Sequence, residues 1–178
     1  MSTKAVFLDR DGVLNKTILC NNRPHPPRTP AELEILGGVE TACRQLKSAG
    51  FLLICVTNQP DIARGTADEG TVRALNDTIR DLLDLDDFRV CPHDDGDDCP
   101  CRKPRPGMVL DAANDFDIDL SSSTMVGDRW KDIDAGLAAG CRTVFIDHHY
   151  DEPQPVGAHF VCRGLIDAVP WITGNMTR

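Results

Sequence analysis

Ala5-Val6-Phe7-Leu8-Asp9-Arg10-Asp11-Gly12 runs from four apolar residues straight into two carboxylates and a glycine. A continuous apolar run, without polar alternation, fits a strand covered on both faces, as in a parallel sheet. Phe51-Leu52-Leu53-Ile54-Cys55-Val56 repeats the pattern and stops at Thr57-Asn58-Gln59. Phe88–Cys91, Thr124-Met125-Val126, Thr143–Ile146 and Phe160-Val161 read as further, shorter strands. Helical spacing separates them. Ala42, Cys43 and Leu46 follow Val39, and Gly50 stops that helix. Thr66-Ala67-Asp68-Glu69 has the form of a capping box, with Val72, Leu75, Ile79, Leu82 and Leu83 as the apolar face behind it. Met108–Phe116 is entered through Pro106, Trp130–Ala139 is closed by Gly140, and a last helix is expected over Leu165–Trp171. Strands alternating with helices predict an α/β fold, a parallel sheet with helices on both faces, in one domain spanning 1–178. Residues 15–35, with four prolines and little periodicity, read as a long loop or cap.

The bulk properties narrow the function. At 41% hydrophobic and 26% charged residues the composition is that of a soluble globular protein. No apolar run approaches the ~20 residues of a membrane-spanning helix, and Ala5–Leu8 is too short for a signal peptide. A cytoplasmic protein is expected, whose eight cysteines are reduced thiols and metal ligands rather than disulfides. Cys20, Cys43, Cys55, Cys141 and Cys162 read mostly as small core residues. The net charge of −9 and the lack of a Lys/Arg run outside 102–105 argue against nucleic acid or an anionic membrane as partners. A phosphorylated small molecule fits if local cations or a divalent metal offset the field. A monomer is expected.

Cys91, His93, Cys99 and Cys101 fall within eleven residues, directly before Arg102 and Lys103. Three thiols and an imidazole suit tetrahedral Zn²⁺, and four protein ligands make such a site structural. The plainer reading is a Cys-rich acidic loop without metal. With zinc, the staple would order a loop that presents two cations.

In parallel sheets ligands bind beyond the carboxyl ends of the strands. Asp9 and Asp11 follow the first strand, Thr57, Asn58 and Gln59 the second, Lys103 the zinc loop, and Asp128 and Arg129 the fourth. Singly each is ambiguous. Asp11-Gly12 could be a turn, Asp128 a helix cap, and Lys103 a solvated charge. Their joint placement at four strand exits is what suggests chemistry. His25, His148, His149 and His159 lack ligand spacing and read as loop or surface residues, and Trp130 and Trp171 as packing.

Asp9-Arg10-Asp11-Gly12-Val13-Leu14-Asn15, Thr57-Asn58-Gln59, Lys103-Pro104 and Gly127-Asp128-Arg129-x-x-Asp132 together resemble the four motifs of the haloacid dehalogenase-like phosphohydrolases. With the cysteine tetrad, the resemblance narrows to the branch of heptose-bisphosphate and histidinol-phosphate phosphatases. It implies a Rossmann-like sheet, Mg²⁺ and an aspartyl-phosphate intermediate. Asp9 would then be the nucleophile and Asp11 the general acid and base. The Asp9 carboxylate, the Asp11 backbone carbonyl and Asp128 would hold Mg²⁺, with Asp132 orienting its waters. Thr57 and Lys103 would bind phosphoryl oxygens. Asn58, Gln59, Arg64, Arg102 and Arg129 are the candidate substrate contacts, the arginines suiting a second, distal phosphate. That favours heptose 1,7-bisphosphate. The short spacer between His93 and Cys99 points instead toward histidinol phosphate. A reading of another class is a zinc-stabilised module that binds a phosphorylated ligand without cleaving it, although a binder has no need of a nucleophile.

Overall fold

A computed structural model describes residues 2–20 and 23–175. In chain order the strands and helices are β1 (Lys4–Leu8), β2 (Ile18–Cys20), β3 (Arg23–His25), α1 (Val39–Ser48), β4 (Phe51–Asn58), α2 (Glu69–Leu83) and β5 (Asp87–Cys91). They continue as α3 (Gly107–Phe116), β6 (Thr124–Gly127), α4 (Trp130–Ala139), β7 (Arg142–Ile146), β8 (Phe160–Cys162) and α5 (Leu165–Thr173).

Six strands form one sheet in the order β5-β4-β1-β6-β7-β8, every neighbouring pair parallel. Numbered along the sheet's own strands this is 3-2-1-4-5-6, the doubly wound Rossmann order. The apolar runs are continuous because the pleat sends successive residues into different cores. Val6, Leu8, Leu53, Cys55 and Val126 pack with α1, α2 and α5, while Ala5, Phe7, Ile54, Val56 and Met125 pack with α3. The first crossovers use one face and the later ones the other, so the winding reverses between β1 and β6. A crevice opens at that reversal, and the two strands facing it lead directly into Asp9 and Asp128.

Three local expectations are corrected. Residues 15–35 are not one loop, because β2 and β3 pair as a short antiparallel hairpin and Pro30–Glu32 forms a single 3₁₀ turn. Leu19 lies opposite Pro24, which has no N–H to donate, and the hairpin stays three residues long on each side. Of the Pro-rich stretch, Asn21 and Asn22 lie outside the described residues. Helix α2 is capped by Asp68, whose carboxylate accepts the Thr71 N–H at 2.8 Å, whereas Thr66 bonds to the Asp61 carbonyl. Leu82 is exposed, because Ile79 and Leu83 already occupy the helix face turned to the sheet. Among the described residues, no helix is long and apolar enough to cross a membrane.

Candidate active site

Asp9, Thr57, Lys103, Asp128 and Asp132 are all buried at the crevice, none more than 8% exposed. Burying so many charges is tolerable only when they are paired. Lys103 supplies the pairing. Its Nζ lies 2.7 Å from Asp9 Oδ1 and 2.6 Å from Asp132 Oδ1, and donates to the Val56 carbonyl at 2.8 Å. Burial works against the Lys103 charge, but Asp132 and Asp9 outweigh it and raise its pKa. For Asp9 burial wins: its carboxyl is pushed up to about 6, with Lys103 pulling down and Asp132 and Asp11 adding to the rise.

One ammonium among three carboxylates leaves negative charge uncompensated. Oxygens of Asp9, Asp128 and Asp132 lie within 4.8 Å of one another, close enough to share a cation. The Tyr150 phenol is nearby, yet neither buried Asp128 oxygen has a hydrogen-bond partner of ordinary geometry. Burial, then the charges of Asp9 and Asp132, drive the Asp128 pKa well upward. An orphaned carboxylate beside two others is a donor set of hard oxygens, the kind Mg²⁺ takes. Two glycines make room for it. A Cβ on Gly12, where φ is +85°, would fall 1.9 Å from Asp128 Oδ2, and one on Gly127 would fall 2.0 Å from Asp132 Cβ.

Asp11 lines the same crevice, but its side chain lies outside that carboxylate group. Its two oxygens accept from Arg10 Nε and Nη2 at 3.0–3.2 Å, from Asn15 Nδ2 at 3.0 Å and from Gln59 Nε2 at 2.9 Å. Gln59 also donates to Thr57 Oγ1 at 3.0 Å.

The cysteine tetrad comes together as expected. Cys91, Cys99 and Cys101 sulfurs are 3.2–3.6 Å apart, and His93 Nδ1 is 3.6 Å from Cys91 Sγ and 3.4 Å from Cys101 Sγ. These separations exceed a disulfide and approach the edges of a tetrahedron around zinc, about 3.8 Å between sulfurs for Zn–S bonds of about 2.3 Å. The loop that follows is tied to β4. Asn58 Nδ2 donates to the Lys103 carbonyl at 3.0 Å, and Lys103 N–H donates to Asn58 Oδ1 at 3.1 Å. Asn58 therefore holds the Lys103 backbone by both its polar groups.

The crevice widens into a cleft of about 560 Å³. Pro24, His25 and Pro26 form part of its wall, so the hairpin borders the site. Arg64 and Arg129 line it, each already facing acids. Arg64 pairs with Asp94 at 2.6–2.7 Å, and Arg129 forks onto Glu152. Arg102 does not reach the cleft, because its Nε is on Asp95 at 2.8 Å and its Nη1 on the His93 carbonyl at 3.0 Å.

Several residues of the site differ from their sequence expectation. Trp130 lines the cleft rather than only packing. His25 is in the wall, and His148 Nε2 lies 2.7 Å from the Gly12 carbonyl, so neither is a bystander. His148, Tyr150 and Glu152 alternate along the segment after β7, reaching Gly12, Thr17 and Arg129 respectively. That period of two was the available signal, hidden in an acidic, Pro-containing loop. Cys20 is exposed instead of a core residue, since it sits on the outlying hairpin.

The sequence pattern of the HAD-hydrolase-like family matches residues 100–168. The chain is 41% identical over 154 residues to the D-glycero-beta-D-manno-heptose-1,7-bisphosphate 7-phosphatase of Yersinia pestis, covering 80% of this chain and 79% of that protein. It is 36% identical over 151 residues to the D-glycero-alpha-D-manno-heptose-1,7-bisphosphate 7-phosphatase of Campylobacter jejuni, covering 82% and 83%. Among solved structures, the B. bronchiseptica D,D-heptose 1,7-bisphosphate phosphatase, crystallised with magnesium and phosphate, superposes with a TM-score of 0.83. It shares 30% identity over 98% of this chain and 100% of that one.

Proposed function

Because the chain belongs to the haloacid dehalogenase-like phosphatases, and to the heptose-bisphosphate phosphatase family among them, we propose that it removes the C7 phosphate of D-glycero-D-manno-heptose 1,7-bisphosphate. The observation that carries the chemistry is the buried Lys103 bridging Asp9 and Asp132 beside an unpartnered Asp128. Asp9 attacks phosphorus and becomes a mixed anhydride while the ester bond breaks. Asp11 gives its proton to the departing sugar oxygen, then takes one from the water that attacks the acyl phosphate. Thr57 and Lys103 hold phosphoryl oxygens as charge develops on them. Asp9, the Asp11 carbonyl and Asp128 would hold Mg²⁺, whose chemistry when bound is to neutralise phosphate charge. Asp132 is suited to orienting that site, since it is itself held by Lys103 and by the Arg129 N–H at 3.0 Å. The same reading makes 1–178 one domain acting as a cytoplasmic monomer, its sheet covered on both faces by its own helices.

Arg64 and Arg129 are the cations placed to meet the distal phosphate, which would displace Asp94 and Glu152 from them. One observation favours histidinol phosphate: Asp61, Asp151 and Glu152 line the cleft and suit an ammonium or imidazolium. The named relatives favour the first reading, since heptose-1,7-bisphosphate 7-phosphatases match this chain at 35–41% identity. Relatives named for either anomer match, so both anomers belong in the test. Specificity constants measured side by side with Mg²⁺ should favour a heptose bisphosphate over histidinol phosphate by more than about tenfold. The reverse preference would overturn the assignment.

Zinc on Cys91, His93, Cys99 and Cys101 is part of the same proposal. It acts at a distance, by ordering the loop whose backbone Asn58 clamps at Lys103. Elemental analysis should find about one zinc per chain, and Cys99→Ser should loosen this loop to proteolysis while the sheet stays folded. Fully active protein without zinc would refute this role.

A further inference from the structure

The largest fully buried side chain in the described protein is an arginine. Arg10 is 0% exposed, although a guanidinium is among the groups least often buried completely. The chemistry above gives it no role. It reaches in two directions. Nε and Nη2 fork onto both oxygens of Asp11, and Nη1 donates to Asn76 Oδ1 of α2 at 2.7 Å. Asn76 is itself buried on a helix face that is otherwise apolar, with Val72, Leu75, Ile79 and Leu83. A buried polar residue there costs stability unless it has a partner, and Arg10 is its partner. The Asp11 side chain keeps 17% of its surface open to the cleft, against 1% for Arg10. The fork therefore grips Asp11 from behind, while Asn15 and Gln59 hold its edges.

We propose that Arg10, anchored by Asn76, is a positioning residue for Asp11, and that its effect is on proton delivery to the leaving oxygen. The proposal rests on the phosphatase reading above. In the step concerned, the Asp9–phosphorus bond forms, the phosphorus–ester oxygen bond breaks, and the Asp11 proton moves to that oxygen. A proton donor must sit within about 2.6–3.2 Å of its acceptor, and a misplacement of about 1 Å costs on the order of 100-fold. A planar fork with fixed donors confines a carboxylate to one plane, which a lysine ammonium cannot do. Asn76 in turn leaves the guanidinium one orientation, linking α2 to the loop after β1.

The test compares two leaving groups. Para-nitrophenolate departs without a proton, whereas an alkyl ester oxygen needs one. The variants are Arg10→Lys, which keeps the charge but loses the fork, and Asn76→Leu, which leaves Asp11 and Arg10 in place but unanchored. For each, kcat/KM is measured on para-nitrophenyl phosphate and on the better alkyl substrate of the heptose bisphosphate and histidinol phosphate, since kcat/KM reports the step in which the leaving group departs. The ratio of alkyl to nitrophenyl kcat/KM is expected to fall about tenfold or more. A ratio within about twofold of the parent in both variants, whether both substrates slow together or neither does, overturns the proposal. If Arg10→Lys does not fold, as circular dichroism would reveal, Asn76→Leu decides alone. Asp11→Asn is run in parallel. A selective alkyl loss there, absent from the other variants, overturns only the positioning role; no selective loss in Asp11→Asn overturns the acid–base reading beneath it.

Discussion

Asp9→Asn is expected to abolish turnover, with kcat lowered by about 10⁴-fold or more on any phosphomonoester. The substitution is nearly isosteric, so the crevice keeps its shape, but an amide oxygen does not form the acyl phosphate. Misfolding is separable from lost chemistry by stability in chelator. In the metal-free protein Asp9 has a pKa raised by burial to about 6 from an ordinary 3.8. A raised carboxylate pKa means that the folded state favours the neutral form. Asp9 therefore costs stability progressively as pH rises from about 4 through about 6, and the full cost is present above that. Asparagine carries no such cost. Asp9→Asn should unfold at a temperature no lower than the parent at pH 7 in chelator, and its stability should depend less on pH across this window. Turnover retained within about tenfold of the parent would remove Asp9 as nucleophile.

Lys103→Met should be nearly as damaging, and in two measurable ways. The methionine fills similar space, but Asp9 and Asp132 lose the cation that lies 2.7 and 2.6 Å from them. Removing one partner from a buried ion pair costs about 3–5 kcal/mol because the remaining charge is uncompensated. Here two carboxylates are stranded, so chelator-treated Lys103→Met should show a markedly lower unfolding midpoint. Mg²⁺ should restore part of that stability, since a divalent ion offsets the same charges. It should not restore rate, because the donor to the phosphoryl oxygens is gone, and kcat/KM is expected about 10²–10³-fold below the parent. A variant as stable as the parent in chelator would show that Lys103 does not carry the charge balance of the site.

The order of elements is legible because the central strands β1 and β4 carry long apolar runs and each helix has a face of its own period. The failures are equally physical. Leu19 and Pro24 pair across a hairpin whose strands are too short for periodicity to register. Arg10 reads as a link in a motif, since nothing local marks an arginine as buried; its pairing with Asn76 spans 66 positions and depends on α2 packing into the core that β1 shares. Arg102 looked like a free cation because its partners, Asp95 and the His93 carbonyl, meet it only once the cysteine loop has folded back on itself. Asn58 and Gln59 line the cleft, as substrate contacts would, but their second role is not legible at a strand end. In the fold Asn58 holds the Lys103 backbone and Gln59 bridges Thr57 to Asp11.

By itself, then, the sequence determined which chemical groups stand at the strand ends and that the sheet is parallel, because uninterrupted apolar runs can be buried only between two layers of helices. It also determined the cysteine tetrad, whose ligands are close in the chain and need only a turn to meet. The tertiary structure alone decided how those groups are used. The winding reverses between β1 and β6, which sets Asp9 against Asp128, and the returning loop after β5 places Lys103 between Asp9 and Asp132. Which cations are free and which are held is a property of distances across the fold, where charges far apart in the chain come within 3 Å, and no pattern along the chain encodes those distances.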